Sequence, residues 1–226
     1  LSVLTNKLRY GNKIIMMFST FSEDNFQNIC DKLAEIDADL SDIISRHGYP
    51  PMWTRPNTFE TLVHIILEQQ VSLASALAAL KKLQEKTTNL TPENILKLND
   101  QELRECYVSR QKTVYIRNLA SELSEQRLNL DDFELMPDEE VRARLVKLKG
   151  IGNWTADIYL MFVLQRTDIF PIGDLAAVNS LKRTKRLPRE TSRENLLEIA
   201  EQWKPYRTVA TMLLWHHYLS SPFRTV

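Results

Sequence analysis

Leu145-Val-Lys-Leu-Lys-Gly-Ile-Gly-Asn-Trp154 is the stretch on which the reading of this chain turns. An apolar, helix-spaced run (Val141, Leu145, Leu148) stops at Gly150. After Ile151 and Gly152 a second such run begins at once, with Trp154, Ile158, Met161 and Phe162. Two glycines flanking one apolar residue suit a tight turn between helices, because glycine tolerates positive φ and lets backbones approach closely. The first turn of the second helix then presents N–H groups with no intrahelical partner, which suits a phosphate. Lys147 and Lys149 bring positive charge to the same turn. Of the 5 glycines in 226 residues, those at 150, 152 and 173 fall close together here, so the unusual backbone geometry is expected here. The hairpin alone is equally well explained as an ordinary helix connection, so its surroundings must decide.

Outward from the hairpin the chain reads as helix after helix. Residues 24–34 and 39–47 are short amphipathic segments ended by Gly48 and Pro50-Pro51. Asn57 or Thr58 caps a helix whose Phe59, Leu62, Val63, Ile66 and Leu67 share one face. An Ala/Leu-rich helix over 73–86 follows. Thr91-Pro92 starts another with Pro at its first position, and Asp100 caps one covering Leu103 and Cys106. Residues 111–123 carry a stripe of Val114, Leu119 and Leu123, and Pro137-Asp138 opens the helix leading into the hairpin. Helices near 174–183, 192–202 and 206–219 complete the chain. All 9 prolines fall at these boundaries, and no alternating β pattern with hairpin turns recurs, so the fold class is all-α.

Composition is that of an ordinary globular protein, 43% hydrophobic and 26% charged, with 29 basic and 29 acidic residues in balance. The distribution is uneven. Residues 23–42 hold seven acidic side chains against Lys32 alone, a face expected to turn away from any polyanion. Residues 142–149 hold four basic and no acidic side chains, and 182–193 hold six (Lys182, Arg183, Lys185, Arg186, Arg189, Arg193) against Glu190. Two basic runs flanking the hairpin and Asp174 favour a phosphate-backbone footprint over a merely solvated face. Cys30 and Cys106 are far apart and lack metal-ligand spacing, which points to a reducing, intracellular compartment. No apolar run approaches the ~20 residues of a membrane span. The chain opens on Leu, and Met16-Met17 offers a natural start, so residues 1–17 are expected to be a leader or disordered and are set aside.

Leu148-Lys-Gly-Ile-Gly-Asn-Trp-Thr-Ala156, followed by Asp168-Ile-Phe-Pro-Ile-Gly-Asp174, resembles the helix-hairpin-helix DNA glycosylases, and within them the DNA-3-methyladenine glycosylase II type. Ile66-Leu-Glu-Gln-Gln-Val-Ser72 and the segment from Trp203 to Trp215 agree, in matching order over roughly residues 20–220. The resemblance implies two helical bundles flanking a cleft: 18–57 plus 167–226, built from both termini, and 58–166, carrying the hairpin 145–154. It implies a flipped-base mechanism acting on double-stranded DNA that contains alkylated bases, by a protein expected to be a monomer. The compartment would be the cytoplasm or nucleoid of a bacterium, or the nucleus of a eukaryote. No cofactor is expected to be required, and two cysteines exclude the four-Cys iron–sulfur cluster of the endonuclease III branch.

Residue roles follow from the same resemblance, each beside a plainer reading. Asp174 is expected to be catalytic, facing the sugar and stabilising its positive charge or orienting water; a helix N-cap alone would also explain it. Trp154, Trp215 and Tyr159 are expected in the base pocket, with His216 a weaker member, since an aromatic face attracts an electron-poor alkylated base; any of them also suits a core. Trp203 reads as structural. Ile158 stands where some relatives carry Tyr, a departure in the pocket. Gln69 and Gln70 are expected to fill the gap left by the flipped nucleotide, with Lys147, Lys149, Gly150, Gly152, Ser109 and Lys112 at the DNA backbone. Ser109 reads equally well as a plain helix cap. The carbonyls of Val146, Leu148 and Ile151 match a family site for Na+ or K+. Trp154 occupies the position that in strand-nicking relatives holds a lysine, so the expected activity is monofunctional. The alternative is a non-catalytic DNA-binding module using the hairpin alone; a helical interaction scaffold leaves the glycine clustering unexplained.

Overall fold

Short polar side chains that accept backbone N–H groups set most of the helix starts in this protein. The structure, a computed structural model, describes residues 7–10, 13–16 and 19–220. It divides into two units, one from the N-terminus to Thr54 together with Leu160 onward, the other Arg55–Tyr159.

The first unit contains α1 (Phe26–Ile36), α2 (Ala38–His47), α10 (Leu175–Thr184), α11 (Arg193–Glu201) and α12 (Arg207–Ser220). Helix α12 is its centre: every residue from Thr208 to Trp215 is buried, as expected of a helix apolar on all sides, and it packs on α1, α2 and α10. Asp37 caps α2 through Asp39 and Leu40 N–H, and Ser192 caps α11. The same Asp37 carboxylate receives Lys185 Nζ at 2.6 Å and the indole of fully buried Trp203 at 2.7 Å. Burial alone would raise the Asp37 pKa, but the hydrogen bonds from Lys185 and Trp203 outweigh it and hold the carboxyl below its ordinary value. Near the N-terminus β1 (Lys7–Tyr10) pairs antiparallel with β2 (Lys13–Met16). Residues 1–17, expected to be a leader or disordered, thus include a paired ribbon; the rest of that stretch lies outside the described residues.

The second unit contains α3 (Phe59–Glu68), α4 (Leu73–Thr87), α5 (Pro92–Lys97), α6 (Asp100–Glu105), α7 (Arg110–Ser124), α8 (Asp138–Leu145) and the first seven residues of α9 (Asn153–Phe162). Helix α3 packs on α4 and α7, and α5 and α6 also lie on α7. Thr58, Ser72, Thr91 and Ser109 cap α3, α4, α5 and α7, with Pro92 at the first turn of α5. Buried Glu68 is held by both arms of the Arg55 guanidinium at 2.7 and 2.9 Å.

Three details differ from the sequence reading. Asn99, not Asp100, caps α6, because its side chain reaches the Gln101 and Glu102 amides while Glu102 reaches back. Val114 is 43% exposed, and Thr113, Ile116, Leu119 and Ala120 form the buried stripe of α7 instead. The unit boundary falls inside α9, not at 167. Residues 165–167 are tied to the N-terminal segment, Phe21 N–H to Gln165 O at 3.0 Å and Thr167 N–H to Ser19 O at 3.1 Å, which carries the end of α9 into the first unit.

Candidate functional site

In the first unit the site grows from the loop before α10. Asp174 N–H bonds Pro171 O at 2.8 Å, closing a tight turn, and Asp174 Oδ1 accepts the Ala177 N–H at 2.8 Å as the N-cap of α10. The same oxygen accepts the Trp215 indole N–H at 3.0 Å. Two donors from two helices therefore fix the half-buried carboxylate in one pose, at the positive end of the α10 dipole. Trp215, 9% exposed, is flanked by two more rings: Phe162 at 5.5 Å between centroids and Trp53 at 6.4 Å, edge to face. Packing anchors the scaffold, since Ser180 Oγ of α10 donates to Leu214 O of α12 at 2.6 Å. The result is a carboxylate beside an aromatic wall. Such a pair can stabilise positive charge and hold a flat, electron-poor ring.

The hairpin is built within the second unit. After α8, Leu148 N–H bonds Leu145 O at 3.0 Å and Ile151 N–H bonds Leu148 O at 3.1 Å. Gly150 takes φ +84°, and the Tyr115 ring lies where a Cβ would be, so the position is closed to any other residue by both backbone and space. Gly152 differs: nothing lies within 4 Å of a built Cβ and its φ is ordinary. Its carbonyl starts α9 by accepting Ala156 N–H at 3.1 Å. Arg142 of α8 pairs with buried Asp157 of α9 at 2.6 Å, joining the two helices. Lys147 and Lys149 are exposed, and among the described residues neither has an ion-pair partner.

Several of the expected site residues are engaged inside the protein. Tyr159 is fully buried, donates its hydroxyl to Asn57 Oδ1 at 2.5 Å and meets Phe133 edge to face at 5.8 Å; it is core, not pocket wall. Gln69 is turned inward, its amide donating to Gly150 O at 2.9 Å and to Thr155 Oγ1 at 3.0 Å, so it braces the hairpin. Lys112 Nζ donates to Leu67 O at 2.7 Å, closing the C-terminal end of α3, and burial lowers its pKa. Ser109 caps α7. Gln70 is exposed at φ 57°, projecting from the turn after α3. Trp154 is half-buried on the first turn of α9, and Ile158 is buried. His216 binds the His47 carbonyl at 3.0 Å. The Leu148 carbonyl already accepts Ile151 N–H, and the Val146 and Ile151 carbonyls share its turn; neutral oxygens of this kind suit an alkali cation better than a divalent one.

Sequence reasoning missed Trp53 and Phe162 as ring neighbours of Trp215. Phe162 is visible in the sequence only as a member of the apolar run that becomes α9. Trp53 follows Pro50-Pro51 with no spacing that ties it to Trp215, more than 160 positions away.

Comparison with known proteins bears on this geometry. The HhH-GPD superfamily profile, described as base excision DNA repair protein, matches residues 63–205. A DNA-3-methyladenine glycosylase of Bacillus subtilis is 30% identical over 172 residues, 71% of this chain and 57% of that protein. DNA-3-methyladenine glycosylase 1 of Schizosaccharomyces pombe is 30% identical over 161 residues, 70% of this chain and 71% of the relative. The solved structure of the 3-methyladenine DNA glycosylase of Schizosaccharomyces pombe in complex with abasic DNA matches with a TM-score of 0.75 at 26% identity, over 83% of this chain and 95% of that one.

Proposed function

Because this chain belongs to the HhH-GPD superfamily of base excision DNA repair proteins, we propose that it is a monofunctional DNA glycosylase that hydrolyses the N-glycosidic bond of alkylated bases, chiefly 3-methyladenine and related alkylpurines. The observation that carries this reading is the Asp174 carboxylate, fixed by the Trp215 indole beside the rings of Trp53 and Phe162. Breaking the bond builds positive charge on the deoxyribose, and a carboxylate held in place by preorganised donors stabilises that charge with little reorganisation. The same group can orient or deprotonate the attacking water. Alkylated purines are electron-poor and often cationic, so the rings favour them by ~0.5–2 kcal/mol over neutral bases. Gln70, Lys147, Lys149 and the amides around Gly152 are the groups we assign to duplex DNA. Hairpin carbonyls of Val146, Leu148 and Ile151 would hold a monovalent cation, which would supply a positive charge near a phosphate.

The chain has Trp154 where strand-nicking relatives place a lysine, and a tryptophan forms no imine, so water is the nucleophile. We assign the activity to a monomer in a reducing compartment. Among the described residues, no helix is long and apolar enough to cross a membrane.

The deciding experiment incubates the protein with a duplex carrying one alkylated purine and follows base release. Free 3-methyladenine should appear, the abasic strand should break only after alkali or heat, and borohydride should trap no protein–DNA adduct. Normal duplex binding with no release of any alkylated base would instead make the chain a non-catalytic hairpin module.

A further inference from the structure

We propose that the concave surface at the C-terminal end of α10 is a second phosphate-backbone site for DNA, built from residues other than Asp174 and those of the hairpin. A cavity of about 470 Å³ lies there, lined by Lys182, Arg183, Arg186 and Arg189 together with Asn179 and Tyr218, and none of its lining residues is acidic. The turn that builds it is specific. Arg186 takes φ 53°, Leu187 N–H returns to Lys182 O at 2.8 Å, and Lys182 Nζ reaches Arg189 O at 2.6 Å. The chain after α10 is thereby folded back, and the two arginines that follow the helix stand beside its last turn.

Helix electrostatics account for part of this charge only. Cations in the last turn of a helix oppose its dipole, which explains Lys182 and Arg183. Arg186 and Arg189 lie beyond the helix end, where that stabilisation fades. Several other cations are matched: Lys185 with Asp37 and Asp39, Arg207 with Asp168 and Glu201, Arg142 with Asp157. A second arginine-lined cavity, beside α6 and α7, has Asp100 in its wall, paired with Arg117 at 2.5 Å. Among the described residues Arg186 and Arg189 have no ion-pair partner. Guanidinium forks match phosphate oxygens two at a time, and amide and phenol groups donate to the same oxygens.

The occupant we assign is a run of phosphodiesters, which rests on reading the chain as a DNA glycosylase. Helix α10 has 10 residues. At ~1.5 Å rise per residue the cavity lies roughly 15 Å from Asp174, so its phosphates are not those flanking the nucleotide held there.

The test uses the full chain with Arg186→Gly and Arg189→Ala together. Glycine adopts the positive φ at 186 more readily than arginine, so the fold is kept. Affinity for an undamaged duplex is measured across salt concentrations, alongside single-turnover excision at saturating protein. The expected result is a shallower dependence of log affinity on log salt, by ~1–2 units for one or two lost phosphate contacts, with about tenfold weaker binding at low salt. The saturating excision rate should not change. Wild-type affinity and slope in the variant would overturn the site, and a lower saturating rate would place these cations in the catalytic machinery instead. Loss of pyrophosphate or nucleoside triphosphate binding with an unchanged DNA slope would assign the cavity to a small anion and overturn the DNA occupant. Absence of excision by the wild-type protein, with the slope effect intact, would refute the glycosylase reading and leave the site standing.

Discussion

Asp174 does two jobs with one oxygen, capping α10 and receiving the Trp215 indole. Asp174→Asn keeps an acceptor of the same shape, so urea unfolding should show a loss under ~1 kcal/mol. Single-turnover base release should fall by ~10²-fold or more, because the charge facing the sugar is gone. Wild-type excision in that variant would leave the residue a cap and nothing more. Trp215→Phe keeps the ring and deletes the indole donor. A hydrogen bond to a charged group is worth ~1.5–3 kcal/mol, so excision should drop by about tenfold or more through a carboxylate free to turn. A rate equal to wild type would detach the indole from the mechanism. Cys30 offers a check on packing: burial, aided by Asp31, pushes its thiol up to about 12. It should resist iodoacetamide at pH 8 in the native protein and react after unfolding, as mass spectrometry would show.

The hairpin separates two kinds of glycine within one element. Gly150→Ala asks an L-residue to take φ +84° and drives its methyl into the Tyr115 ring, so it should destabilise by ~1–3 kcal/mol. Gly152→Ala meets open space at ordinary φ and should leave stability within ~0.5 kcal/mol of wild type. If a phosphate approaches the start of α9, the same methyl should weaken duplex binding, most clearly at low salt. Paired urea melts and binding curves read both effects. A Gly152→Ala protein that is stable and binds duplex DNA normally would remove the hairpin turn from the DNA contact.

At the scale of the whole molecule, the Asp37–Lys185–Trp203 cluster joins α2, the end of α10 and the segment after α11 within the first unit. Asp37 is held below its ordinary 3.8, so its stabilisation is present above that value and is lost as pH falls through the lower folded pKa. Burial would lower the Lys185 pKa, but the hydrogen bonds it donates to Asp37 and Asp39 outweigh burial and raise the pKa above its ordinary 10.5; this contribution is present below 10.5 and lost as pH rises through the folded value. The stability difference between wild type and Lys185→Met should therefore be flat through the neutral range and shrink at both extremes. Asp37→Asn should cost about 3 kcal/mol near neutrality, since breaking a buried pair leaves an under-paired ammonium. A difference that stays constant into strong acid would show that the pair contributes no charge-dependent stability.

Local chemistry made much of this protein legible before folding was considered. Capping side chains, prolines and 3.6-residue stripes delimit the helices because those signals act within a few residues of one another, as Thr58, Thr91 and Asp174 illustrate. The Gly150 turn was legible for the same reason: positive φ is a demand of the local backbone. Which aromatic ring faces solvent, core or carboxylate is decided by partners far along the chain, and no local pattern encodes it. Tyr159 and Trp215 look alike in sequence, yet Asn57 and Phe133 claim the first while Asp174, Phe162 and Trp53 surround the second. Gln69 and Gln70 are neighbours, but the turn after α3 sends one amide onto the hairpin and leaves the other exposed. Short-range sterics and capping make most of the helices, many of their ends and the Gly150 turn readable along the chain. Which cations stay unmatched and which rings gather around Trp215 and Asp174 depend on long-range packing, because the partners, such as Trp53 and Trp215, come from helices and loops far apart in the chain.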